Sequence, residues 1–215
     1  MAIWLLDPGH GGRDLGVVYN ENIEKNDNLK IALKVGEILR DKGEEVYFTR
    51  IDDTYLSLSD RITIGNKKDY DYLVSFHRNS FSPENNNGVE IFYYNDSLEV
   101  KSICNSLKDN LSELFEFRGI NKGKISLLKK VNTNGILIEL GFIDNTLDNE
   151  IFNSRIDEIA TIIGNSLVPE IYNEDYKNNM WRVCVGEFEG YMEAEKLMKE
   201  FRNLGYEACV IPLKE

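Results

Sequence analysis

The sequence predicts an α/β fold, a mostly parallel sheet flanked by helices, followed by a small C-terminal β-α-β unit. Three observations predict it. Through residues 1–172, short runs rich in β-branched and aromatic residues alternate with stretches of helical period, the pattern of parallel strands linked by crossover helices. A polar, asparagine-rich stretch at 173–179 then breaks the alternation as a linker. Residues 180–215 finally add one strand, one amphipathic helix and one strand.

Taken in order, Ile3 to Leu6 is an apolar strand stopped by Asp7, and DPGHGG supplies the turn after it. Asn28 to Arg40 places Leu29, Ile31, Ala32, Val35, Ile38 and Leu39 on one helical face. Glu45 to Phe48, Tyr72 to Phe76, Gly88 to Tyr93 and Ile136 to Leu140 read as further strands, bounded by glycine, asparagine or aspartate. Leu98 to Phe115 and Ile156 to Ile171 repeat the 3.6 period as helices. In the tail, WRVCVGEF alternates as a strand, YMEAEKLMKEFRNLG is a helix ended by Gly205, and YEACVIPL is a second strand.

The composition narrows the function. At 215 residues with 42% hydrophobic residues, the chain can bury a sizeable core and holds at most two folding units. Its net charge of -12 excludes a nucleic-acid binder that works by neutralising phosphates. Six basic and seven acidic residues lie in 176–215, so nearly all the acidity belongs to the larger unit. Cys104, Cys184 and Cys209 are too few and too scattered for a disulfide framework, and reduced thiols are expected. MAIWLLDPGH lacks a basic n-region and no run approaches a membrane span, so synthesis in the cytoplasm without a signal peptide or membrane insertion is expected.

The most informative count is the smallest. There are two histidines, His10 and His77, each just beyond an apolar run, where the working residues of such sheets gather. Two imidazoles and one carboxylate form the common catalytic zinc set, with a fourth position left for water. Glu24 and Glu139 are candidate acids. Glu24 begins the first long helix, where it could serve only the helix dipole. Glu139 ends a strongly apolar strand, where an ionisable group is costly unless paired or used, and is well placed as general base or acid. No GxSxG, Walker loop or HExxH occurs, which leaves serine hydrolases, phosphotransferases and zincins without support.

In order and spacing, DPGHGGRDLG, EKNDNL, TRIDDTYLSLSDR, SFHRNS, GVEIFYY, FRGI and LIELGFIDN resemble the zinc-dependent N-acetylmuramoyl-L-alanine amidases of the AmiC and CwlC type, over about residues 1 to 170. The resemblance implies a phosphorylase/hydrolase-like α/β fold and one Zn2+ per chain. It implies His10, Glu24 and His77 as the metal ligands and Glu139 as the catalytic glutamate. Bacterial peptidoglycan is the implied substrate, cut between N-acetylmuramic acid and L-alanine. A phage endolysin released through a holin-type pore is the favoured role. A sporulation mother-cell autolysin freed by cell lysis, a zinc carboxypeptidase on stem peptides and a non-catalytic wall-binding protein are the alternatives. Arg50, Arg61 and Asn66 match positions that look structural in the family. Arg78 stands where the family commonly has alanine, and as a neighbour of His77 it is either a contact for a substrate carboxylate or a solvated side chain.

The tail resembles half of a SPOR domain, a wall-binding module of two β-α-β repeats. Half a domain leaves strand edges to be covered, so wall binding, homodimerisation through two tails, or packing on the chain's own larger unit is expected. Phe188, Tyr191 and Tyr206 are candidate sugar-stacking or core residues.

Overall fold

The computed structural model describes residues 1–123, 125–168, 188–204 and 210. The chain divides into two compact units, Met1–Asn173 and Glu174–Glu215. In chain order the first contains β1 (Ile3–Pro8), β2 (Val18–Tyr19), β3 (Asn22–Ile23), α1 (Glu24–Asp41), β4 (Glu45–Phe48), α2 (Leu58–Gly65) and β5 (Tyr72–Asn79). It continues with β6 (Val89–Tyr93), α3 (Leu98–Leu111), β7 (Phe117–Lys122), α4 (Ser126–Lys130), β8 (Asn134–Phe142), α5 (Thr146–Ser154) and α6 (Ile156–Leu167). The described part of the second unit holds α7 (Tyr191–Asn203). The tail strands expected from Trp181 and Tyr206, with Cys184 and Cys209, lie outside the described residues.

Six strands form one sheet in the order β4-β1-β5-β8-β6-β7, and β2 pairs with β3 as a separate hairpin. The four strands from β4 to β8 are mutually parallel, as the alternation of strands and helices predicts. The one antiparallel pairing in this mostly parallel sheet is that of β6 with β8, and β7 runs parallel to β6. The reason is the connection from β5: residues 80–88 are too short for the crossover of a dozen or more residues that a parallel return requires.

Strand alternation gives the sheet two unequal faces. On one, Leu6, Val74, Phe76, Ile136 and Ile138 pack with α1, α3 and α6 into the main core. On the other, Leu5, Leu73 and Leu137 meet Leu127 and Leu128 of α4, with Ile62 of α2 alongside, in a smaller cluster. Further along the same face, four residues past Leu73 on β5 and two past Leu137 on β8, stand His77 and Glu139. They lie past the apolar cover, at the end where chemistry can reach them. Cys104 belongs to the main core, and burial pushes its thiol up to about 12, so it is an inert packing residue.

Between the small cluster and the strand ends sits a buried polar knot. Asp7 is wholly buried and accepts from Thr49 Oγ1 at 2.7 Å, from Ser75 Oγ at 2.7 Å and from Arg61. Burial alone would raise its carboxyl, but the Arg61 charge and these bonds hold it below the usual range. The stability this supplies is therefore present above the ordinary carboxylate pKa and lost as pH falls. Arg61→Ala is expected to destabilise the protein by about 3–5 kcal/mol, because it strands a buried charge. A thermal unfolding midpoint unchanged from the parent would contradict that assignment.

Candidate functional site

Pro8 ends β1, and the chain turns through Gly9, His10, Gly11 and Gly12. A Cβ on Gly9 would lie 2.3 Å from His77 Cε1, so only glycine lets the loop approach that ring. His10 itself adopts φ 60°, a left-handed conformation that costs a non-glycine residue roughly 1–3 kcal/mol. Two buried arginines hold it there. Arg61 Nη2 donates to the His10 carbonyl at 2.6 Å, while Arg50 donates to the carbonyls of Pro8 at 3.0 Å and Gly9 at 2.9 Å. Arg50 and Arg61 are thus the scaffold of the histidine turn. Asn66, by contrast, bridges α2 to the Lys130 carbonyl at 3.0 Å.

Glu24 is the first residue of α1 and is buried. Its Oε1 lies 3.1 Å from His10 Nε2 and 2.9 Å from His77 Nδ1, and accepts from the backbone N–H of Arg78 at 3.2 Å. Its Oε2 accepts from Val17 N–H at 2.9 Å. Burial opposes the charge, yet the two imidazoles hold this carboxyl far below the ordinary range. His10 shifts upward in turn: burial works against it, and the carboxylates of Glu24 and Asp14 together outweigh burial. Gly16, at φ 64°, leaves room for the pair, since a Cβ there would sit 2.5 Å from Glu24 Oε2 and 2.7 Å from His10 Cδ2.

One donor atom from each of His10, Glu24 and His77 falls within 4.8 Å of the others, and among the described residues this is the group able to hold a metal ion. A tetrahedral zinc with bonds of about 2.0–2.2 Å sets its ligand atoms roughly 3.3 Å apart. The observed separations of 3.1 and 2.9 Å need little adjustment to match that spacing. The donor chemistry, two nitrogens and one carboxylate oxygen, fits zinc as well. Asp14, which the sequence analysis did not single out, places Oδ1 3.0 Å from His10 Nδ1 without hydrogen-bond alignment, where an outer carboxylate orients a metal-binding imidazole.

Glu139 pairs in register with His77 across β5 and β8, and Glu90 of β6 pairs with Glu139 from the other side. The three side chains therefore share one face. Burial pushes the Glu139 carboxyl up to about 7, with Glu24 and Glu90 adding to the rise and the two imidazoles opposing it. Its Oε2 is buried and has no protein partner. A carboxyl that titrates near neutrality beside a cluster able to hold a metal ion is suited to taking and returning a proton.

Arg78 occupies neither place anticipated for it. Its guanidinium is buried on the opposite face of the sheet, bonded to Asp27 at 2.7 Å and Asn149 at 2.8 Å over the Phe152 ring. Alternation along β5 explains this: if His77 faces the site, Arg78 faces the main core. In the second unit Phe188 is exposed, Tyr191 opens α7, and Tyr206 lies outside the described residues.

Residues 5–168 match the N-acetylmuramoyl-L-alanine amidase family, Amidase_3. The chain belongs to that family. Amidase relatives include the probable cell wall amidase LytH of Staphylococcus epidermidis, 32% identical over 157 residues, which cover 71% of this chain and 52% of LytH. The chain thus matches about half the length of that curated relative. Among solved amidase structures, an N-acetylmuramoyl-L-alanine amidase from Clostridium difficile 630 superposes with a TM-score of 0.73 at 30% identity, over 80% of this chain and 98% of its own. The catalytic domain of CwlV, an N-acetylmuramoyl-L-alanine amidase from Bacillus (Paenibacillus) polymyxa var. colistinus, gives 0.72 at 29% identity over 80% and 98%. Among the described residues of this amidase-family chain, no helix is long and apolar enough to cross a membrane.

Proposed function

We propose that this chain is a zinc-dependent peptidoglycan amidase that hydrolyses the bond between the lactyl group of N-acetylmuramic acid and L-alanine. The observation that carries the reading is the convergence of His10, Glu24 and His77 donor atoms beside a carboxyl, Glu139, that titrates near neutrality. In this reading the three residues hold one zinc, and a bound zinc would supply a Lewis acid that polarises the amide carbonyl and makes water acidic. Glu139 takes the proton from the attacking water through Oε2 and delivers it to the departing alanine nitrogen. Both histidines are engaged at the metal, so proton transfer falls to a carboxylate.

The experiment is lysis of purified cell walls before and after chelation. Removal of metal is expected to abolish clearing, and one equivalent of zinc to restore it; clearing that persists in the metal-stripped protein would contradict a metal-dependent reaction. Within this reading the biological role is that of a phage endolysin, with a sporulation autolysin as the same chemistry in another setting. Residues 180–215 act as a wall-binding or dimerising unit, favoured by their near-neutral charge beside an acidic catalytic unit. Sedimentation with peptidoglycan and light scattering, with and without the tail, test both roles.

A further inference from the structure

We propose that Arg78 is a positioning residue for the metal centre, locking the helix that carries Glu24 at a fixed distance from the strand that carries His77. The inference rests on the zinc reading above. Arg78 holds α1 at two points one turn apart: its backbone N–H meets Glu24 Oε1 at 3.2 Å, and its guanidinium meets Asp27 Oδ2 at 2.7 Å. Residues three apart on a helix share a face, so both grips act on the same side of the first turn of α1. The other arm of the guanidinium reaches Asn149 Oδ1 of α5 at 2.8 Å, and Asn149 is itself fixed by donating to the Ile143 carbonyl at 2.8 Å. Phe152 covers the guanidinium at 4.3 Å.

Three features point to positioning rather than to packing alone. The Arg78 side chain is fully buried, and a buried ion pair adds little net stability over an apolar pair of the same volume, whereas it does impose one geometry. The helix start that bears Glu24 has no side-chain cap at Ile23, so the first turn depends on contacts from outside α1. Finally, the residue that clamps the helix follows His77 directly, so one short segment of β5 sets both a proposed ligand and the clamp on another.

The test separates geometry from stability. In the full chain, Arg78→Met combined with Asp27→Asn removes both charges at nearly unchanged volume, and Arg78→Lys keeps the Asp27 pair but loses the fork to Asn149. Zinc affinity by chelator competition, the unfolding midpoint of the metal-free chain, and kcat and KM on peptidoglycan are read for each. The double variant is expected to keep its metal-free midpoint while zinc affinity falls about 10- to 100-fold, the usual cost of losing an outer partner. Arg78→Lys is expected to lie between it and the parent, with the loss in kcat rather than KM. Parental zinc affinity in both variants overturns the positioning role. A parent chain that binds no zinc overturns the metal reading itself, and this inference with it.

Discussion

Glu139→Gln is expected to retain zinc and lose cell-wall hydrolysis, with a fall in kcat of about 10²- to 10⁴-fold, the usual contribution of a positioned proton-transfer group. Glutamine matches the shape of the glutamate but cannot accept the proton of the attacking water. It leaves the His10, Glu24 and His77 cluster intact, so metal content by elemental analysis should stay at one per chain. Full activity in this variant would remove Glu139 from the mechanism.

The same variant has a stability signature whose sign follows from the carboxyl's shift. Glu139 titrates at about 7 in the folded metal-free chain, against about 4.3 for an unfolded glutamate. The folded state therefore holds the proton more tightly, and the metal-free parent loses stability as pH rises from roughly 4 to 7. Glutamine has no proton to lose. Well above pH 7 metal-free Glu139→Gln is expected to be more stable than the parent, by on the order of 3–4 kcal/mol, with the difference vanishing below about pH 4. Denaturant melts at the two pH values measure it; equal stability at both would show that the carboxyl is not held in an apolar setting. Zinc diminishes the effect, because its charge beside the carboxyl favours ionisation.

The second large effect is at the ligands. His10→Ala and His77→Ala are each expected to lose stoichiometric zinc and all measurable wall lysis, since two protein ligands do not retain a catalytic zinc at ordinary concentrations. Each change also removes one of the two imidazoles that hold the buried Glu24 carboxyl in its charged form. A depressed carboxyl stabilises the fold above its unfolded pKa and loses that contribution as pH falls. The metal-free variants should therefore be less stable than the parent near neutrality, and the deficit should shrink under acid. Retention of parental zinc affinity by either variant would remove that histidine from the ligand set.

Much of this was legible in the sequence because it depends on local pattern. Apolar runs with turn residues after them placed the four parallel strands, and two histidines in a chain of 215 residues left little choice of imidazole. Glu139 stood out as an acid at the end of an apolar strand. Other features depend on residues far apart in the chain. α1 does begin at Glu24, four residues before its apolar face, because the loop carbonyls of Val17 and Leu15 accept its first amides. That loop closure, invisible to periodicity, turns Glu24 from a helix-end acid into the bridge between His10 and His77. β7 escaped notice because Gly119 and its exposed polar positions blur the alternation at a sheet edge. α2 and α5 are too short for a period of 3.6 to stand out. Arg78 was misplaced for a related reason: its partners Asp27 and Asn149 stand 51 and 71 residues away, and only the assembled sheet brings them to it.

The most direct measurement is mass spectrometry of purified peptidoglycan digested by the chain with zinc. The account predicts glycan strands that keep N-acetylmuramic acid with a free lactyl carboxyl, together with intact stem peptides beginning at a new L-alanine amino terminus. Stem peptides shortened at their carboxyl end, with the muramic acid amide intact, would contradict it and make the chain a carboxypeptidase.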